Sequence, residues 1–254
     1  MRGSLSVLTL ALSSLAVACP QTGCTGNGPG RAGFDGQVPS DSALAVLRHE
    51  MVRRQITARG VRDTAVLRAM REVPRHLFVP EASPTAAYGD HPLPISHGQT
   101  ISQPYIVAFM AEAAEIDPMD RALEIGTGSG YGAAVLAELA AEVYTIEIVP
   151  ELADRARRAL ERTGYDNVHV LTGDGWLGWP EHAPFDAIVV TAAPPEVPPA
   201  LVEQLAVGGI MVVPVGRVLQ DLRIVRKTAR GIVEETTIPV RFVPMVRQPR
   251  DTMR

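Results

Sequence analysis

A glycine run set between two kinds of periodicity constrains this chain more than any other feature. Ala122–Ile125 reads as a short buried strand, Gly126, Gly128 and Gly130 recur at every second position after it, and an Ala-rich helical pattern follows from Tyr131 to Leu139. Glycines there let the backbone turn sharply and let a ligand approach the main chain without a Cβ in the way. The strand–helix unit then repeats. Val143–Ile146 leads to a helix over Pro150–Arg162, and Val168–Leu171, Ala187–Thr191 and Ile210–Val215 read as further strands. Short β-rich runs separated by helices of ten or more residues predict a doubly wound, mainly parallel α/β sheet. The last runs, Leu222–Lys227, Ile232–Ile238 and Val240–Val243, have no helix between them and should pair antiparallel at one edge.

Ahead of this core, Leu47, Met51 and Ile56 keep helical spacing, and Asp63 can cap a second helix carrying Val66, Leu67 and Met70, which Pro74 ends. Pro80–Gln99 reads as a long ordered loop. Ser102 is expected to cap a helix that holds Pro104 in its first turn and runs to about Ala114. Residues 20–42 are rich in Gly, Pro, Ser, Thr and Gln, a composition that cannot bury enough surface to offset ordering, so 19–44 reads as a linker.

Both cysteines, Cys19 and Cys24, precede the periodic region, so a disulfide framework or a cysteine-based zinc site in the body is excluded. Residues 3–18 carry no charge and end in Ala16-Val17-Ala18, the small-x-small form of a signal-peptidase site, directly before Cys19. Residues 1–18 therefore read as a signal-like segment, and export or lipid anchoring at Cys19 is the alternative to a cytoplasmic location. The 254 residues carry a net charge of −4, which gives no general electrostatic reason to bind nucleic acid. No apolar run reaches the roughly 20 residues of a membrane-spanning helix.

The carboxyl ends of strands in an open α/β sheet are where ligands bind. Glu147 closes the second strand of the unit, where an acid can accept both hydroxyls of a ribose. Gly128-Ser129-Gly130-Tyr131-Gly132-Ala133 also fits the GxGxxA pattern of nicotinamide-binding folds, but Glu124 stands two residues before Gly126, and a carboxylate there repels a pyrophosphate. It suits a cation instead: the sulfonium and ammonium of S-adenosylmethionine. The Glu124-x-Gly126-x-Gly128-x-Gly130 form, with Thr127 and Ser129 between the glycines, is similar to that of class I methyltransferases. Asp174 and Gly175 follow the third strand, where Asp174 can accept from an adenine amino group. Thr191–Pro195 should line the same cleft, whereas Asp186 reads as structural.

Gly98-Gln99-Thr100-Ile101-Ser102-Gln103-Pro104-Tyr105 makes the resemblance specific. With Leu123–Tyr131, Gly173-Asp174-Gly175-Trp176, Phe185-Asp186-Ala187-Ile188, Thr191-Ala192-Ala193-Pro194, Gly208-Gly209 and Arg241-Phe242-Val243-Pro244, it resembles the protein-L-isoaspartate O-methyltransferase family from about Leu47 to Arg247. The resemblance implies a Rossmann-like methyltransferase domain over 45–254. It also implies methyl transfer from S-adenosylmethionine to the α-carboxyl of L-isoaspartyl residues in damaged proteins and peptides, which starts their repair. A small-molecule O-methyltransferase of the same superfamily is the alternative. The resemblance offers Ser102 as the catalytic residue, Thr100 and Ile101 as borders of the peptide path, and Val243 as a backbone partner for the substrate. No metal is expected, since the six histidines show no HExxH spacing, and the expected state is a monomer.

Overall fold

The computed structural model describes residues 39–79 and 84–247; the signal-like segment, Cys19, Cys24 and most of the linker lie outside them. Helix α1 (Asp41–Met51) starts before the apolar spacing does, because Ser40 Oγ accepts from Ala43 N at 3.3 Å and Leu44 is already buried. Helix α2 (Thr64–Glu72) is capped by Asp63, whose Oδ1 accepts from Val66 N at 2.8 Å. Two short strands, β1 (Leu93–Pro94) and β2 (Thr100–Ile101), pair antiparallel and deliver the chain to α3 (Pro104–Ala113).

The alternating part follows as β3 (Arg121–Ile125), α4 (Tyr131–Ala137), β4 (Glu142–Glu147), α5 (Pro150–Thr163), β5 (Val168–Thr172), β6 (Phe185–Val190) and α6 (Pro199–Gln204). Three long strands complete it: β7 (Leu205–Val215), β8 (Gln220–Thr228) and β9 (Gly231–Val240). The sheet order is β5-β4-β3-β6-β7-β8-β9, parallel from β5 to β7 and antiparallel through β8 and β9. Chain direction across the sheet reverses between β3 and β6, so a crevice opens beyond Ile125 and Val190.

Strand alternation sorts side chains onto two cores. Ala122, Val143, Ala187, Val189, Ile210 and Val212 face the helices that include α3 and α4. Leu123, Ile125, Ile146, Ile188, Val190, Met211 and Val213 face Trp176, Leu201 and Leu205. Burial on both faces explains why these strands read as continuous apolar runs. It also puts Glu124 on the face of Ala122, where an apolar side chain would be the ordinary choice.

Three expectations are corrected. Ser102 is not a helix cap: Pro104 takes the first helical position, Gln103 adopts the extended cap conformation, and Ile106 N and Val107 N donate to Gln103 O at 3.0 and 3.2 Å. Ile232–Ile238 and Val240–Val243 are not two strands, because β9 is continuous and ends at Val240. Beyond it, the Gln220 side chain receives Phe242 N at 2.6 Å and donates to Phe242 O at 3.1 Å, which takes over from backbone pairing and turns the chain off the sheet. Finally, β7 starts five residues before Ile210, joined to β6 through a register shift between Phe185 and Ala187.

Candidate active site

The glycine run leaves β3 through residues that only glycine tolerates well. Gly126 has φ 98°, and a Cβ on it would stand 2.5 Å from Thr191 Oγ1, which donates to Gly126 O at 2.7 Å. Thr191 N also donates to Ile125 O at 2.8 Å, so the ends of β3 and β6 are locked together at the crevice. Glu147 at the end of β4 holds the loop from the other side. Its Oε2 accepts from Gly128 N at 2.7 Å and its Oε1 from Val149 N at 3.0 Å. Each oxygen keeps a lone pair for a further donor.

Glu124 lies beneath this loop and is 1% exposed. Its Oε2 accepts from Thr145 Oγ1 at 2.7 Å, and Thr145 Oγ1 lies 2.6 Å from Thr127 Oγ1, so Thr127 donates into the chain. Burial pushes the Glu124 carboxyl up to about 8, against the Thr145 hydrogen bond and with a smaller contribution from the Glu147 charge. Its other oxygen points at the start of α4, where a Cβ on Gly132 would collide with it. No cation among the described residues neutralises Glu124, so the site fits a ligand that brings one.

Three hollows meet above the loop. One is walled by Glu124, Gly126, Gly128, Ser129, Ile101 and Ser102. A second is walled by Gly128, Glu147, Val149, Gly175, Pro244 and Met245. The third is an outer groove along Arg59, Ser102, Tyr105, Pro239, Arg241 and Phe242. Thr100 and Thr191 border all three. Ser102 stands between the first hollow and the groove, and its hydroxyl makes no hydrogen bond among the described residues. Among those residues no group of three or more His, Cys, Asp or Glu is placed to hold a metal ion.

The family model for protein-L-isoaspartate(D-aspartate) O-methyltransferase matches residues 47–250. The chain belongs to this family. A protein-L-isoaspartate O-methyltransferase of Gloeobacter violaceus is 61% identical over 200 residues, covering 78% of this chain and 98% of that one. Its counterpart in Picosynechococcus is 58% identical over 199 residues, covering 78% and 90%. Among solved structures, a protein-L-isoaspartate O-methyltransferase has a TM-score of 0.70 at 30% identity and covers 77% of this chain, which spans only 65% of that one. A Plasmodium falciparum β-aspartate methyltransferase in complex with S-adenosyl-L-homocysteine has a TM-score of 0.71 at 26% identity, covering 79% and 99%.

In this isoaspartyl methyltransferase the sequence-derived residues fall unevenly around the crevice. Glu124, Gly126, Thr127, Gly128, Ser129, Glu147, Gly175, Thr100, Ile101 and Ser102 wall the hollows. Gly130, φ 89°, takes the cap position of α4 instead. Asp174 walls neither inner hollow and turns its Oδ1 onto Trp176 N at 3.0 Å, capping the turn at 175–177. Val243 lines the outer groove, and its carbonyl accepts from Ala193 N at 2.8 Å, which ties this segment to the end of β6.

Met245 and Val246 are walls that the motif pattern does not announce. Met245 N donates to Ala193 O at 2.9 Å and Arg247 lies 4.1 Å over the Trp176 ring, which straps this segment across the second hollow. Arg59 is another. Its guanidinium lies 3.5 Å from the Tyr105 ring centre and 3.0 Å from Asp90, which Gln103 also holds at 2.8 Å. Only tertiary packing brings these together, and a match of Arg241-Phe242-Val243-Pro244 to a family pattern does not reveal it.

Proposed function

We propose that this chain binds S-adenosylmethionine in the two inner hollows and a peptide in the outer groove, and esterifies the α-carboxyl of an L-isoaspartyl residue. When bound, the cofactor supplies a methyl group on a sulfonium, which is a good leaving group. The chain's own residues have a modest chemical task. A carboxylate with a reference pKa of about 4 is already an ionised nucleophile at neutral pH and needs no general base. What remains is orientation, worth roughly 7–11 kcal/mol in favourable cases.

Glu147 accepts the ribose hydroxyls while it braces Gly128 and Val149, and Glu124 faces the cationic amino-acid end. Gly175 borders the adenine, and Asp174 next to it, outside the hollow walls, keeps its second oxygen for the adenine amino group. Ser102 donates its hydroxyl to one carboxylate oxygen and leaves the other aimed inward, while Thr100 and Ile101 flank the peptide. The observation that carries this reading is the position of Ser102, which joins the inner hollow to the outer groove with a hydroxyl that caps nothing. The need for S-adenosylmethionine, which is made in the cytosol, favours a cytoplasmic enzyme over an exported form.

Two peptides that differ only in aspartyl against isoaspartyl linkage test the activity. Incubation with radiolabelled S-adenosylmethionine should label the isoaspartyl peptide alone. Equal labelling of both, or of neither, rejects the assignment.

A further inference from the structure

Arg75 is the most unusual buried side chain outside the hollows. It is fully inaccessible and has no carboxylate partner among the described residues. Its Nε donates to Ala87 O at 2.7 Å, its Nη2 donates to Ser102 O at 2.8 Å, and its guanidinium carbon lies 4.7 Å from the centre of the Tyr131 ring. The third nitrogen, Nη1, is buried without a hydrogen-bond partner. Burial pulls the guanidinium down to about 10, so it remains charged at neutral pH.

A buried cation facing only neutral carbonyls and a ring is a poor device for stability. Desolvation is costly, and an apolar side chain of similar volume often does as well or better. What the guanidinium provides is geometry. It is a rigid planar fork, and its prongs reach two segments distant in sequence. One is the turn at 86–88 and the other is Ser102, directly after β2. Tyr131 on its face is the first residue of α4, directly after Gly130. Arg75 therefore joins the Ser102 backbone to the helix that leaves the glycine loop.

We propose that Arg75 is a positioning residue for methyl transfer, fixing Ser102 against the start of α4 and thereby setting the approach of the peptide carboxyl to the methyl donor. The proposal rests on the reading of Ser102 given above. Lysine at this position keeps a buried charge but cannot span both carbonyls.

The test is a double-mutant cycle of Arg75→Lys and Ser102→Ala, with kcat and KM for an isoaspartyl peptide and the Kd of S-adenosylhomocysteine measured for each protein. Arg75→Lys should lower kcat at least roughly tenfold, because a misplacement of about 1 Å can cost on the order of 10²-fold. Its Kd for S-adenosylhomocysteine should stay within about threefold of the parent, which also shows that it is folded. In the Ser102→Ala background the same change should lower kcat less than about threefold further, since the group being positioned is gone. An unchanged kcat in Arg75→Lys, or an equal loss in both backgrounds, overturns the proposal. An unchanged kcat in Ser102→Ala alone rejects the Ser102 reading instead.

If Arg75→Lys does not fold, the wild-type protein still decides the question through its Arg75 Nε–H resonance. In the S-adenosylhomocysteine complex that signal should shift when the isoaspartyl peptide is added and not with the aspartyl peptide. No shift with either overturns the proposal.

Discussion

Glu124→Gln isolates a buried carboxyl whose ionisation the fold resists. With the carboxyl pushed up to about 8, only about one molecule in ten of the free protein carries Glu124 ionised at pH 7. A cationic ligand in front of it binds the ionised form better, so apparent affinity scales with the ionised fraction. That fraction rises about 50-fold between pH 6 and pH 8, so the Kd of S-adenosylhomocysteine should fall by a similar factor and then level off. Calorimetry at pH 7 in two buffers of different ionisation enthalpy should register release of nearly one proton on binding. Glu124→Gln keeps an acceptor for Thr145 Oγ1 and cannot titrate, so it should lose both the pH slope and the proton release.

Stability gives the sign a second check. A carboxyl whose folded pKa is raised is neutral in the fold and ionised in the unfolded chain between its ordinary 4.5 and about 8, so the fold loses stability as pH rises through that window. The ceiling on this loss is about 5 kcal/mol above pH 8. Without ligand, Glu124→Gln should therefore melt higher than the parent at pH 8, by up to on the order of 10 °C, and nearly equal to it at pH 4.5. Parallel pH dependence of both Kd and melting in the two proteins would falsify the assignment of Glu124.

Glu147→Ala removes the acceptor for Gly128 N and Val149 N together with the ribose contacts, and should weaken S-adenosylhomocysteine by on the order of 1.5–3 kcal/mol in a calorimeter. Gly132→Ala drives a methyl group into Glu124 Oε1 and should lose cofactor binding, whereas Gly164→Ala, at φ 83° with open space around it, should leave binding unchanged. Asp174→Ala should weaken S-adenosylhomocysteine more than its inosine analogue, which lacks the adenine amino group; equal loss for both reduces Asp174 to a cap on Trp176 N. Ser102→Ala should lower kcat while the cofactor Kd moves less than about twofold, and the reverse pattern makes Ser102 structural.

The legible parts of the site are those whose partners lie on the same strand–loop–helix unit. Gly126, Gly128 and Glu124 stand within one turn of chain, and Glu147 is one crossover away, so pattern and spacing locate them. The failures have a local cause. A serine before Gln-Pro is a good cap by composition, but proline at the first helical position forces Gln103 into the cap conformation. Val240–Val243 has strand composition, yet one polar side chain, Gln220, replaces the backbone partner and diverts the segment. Asp63, by contrast, caps its helix as its position predicts, because nothing outside that turn competes. Arg75 carries no signal at all in the sequence, since an arginine after Val73-Pro74 looks like a surface residue.

Glu124 and Arg75 share a consequence that neither shows alone. They are groups of opposite charge type, both fully buried, and they do not meet: Glu124, mostly neutral in the free protein at pH 7, is held by Thr145, and Arg75 by two carbonyls and a ring. A fold arranged for stability would pair them or replace both, since an uncompensated buried charge is among the costliest features a core can carry. Keeping them apart leaves Glu124 open to the cation of a ligand and leaves Arg75 as a fixed brace beside Ser102. Cofactor binding should then relieve Glu124 at high pH, an effect that enters through the Kd. Measured at equal multiples of Kd, the stabilisation by S-adenosylhomocysteine is set by mass action alone and should be the same at pH 6 and pH 8. At equal ligand concentration it should instead be larger at pH 8, by an increment that Glu124→Gln abolishes and Arg75→Lys does not.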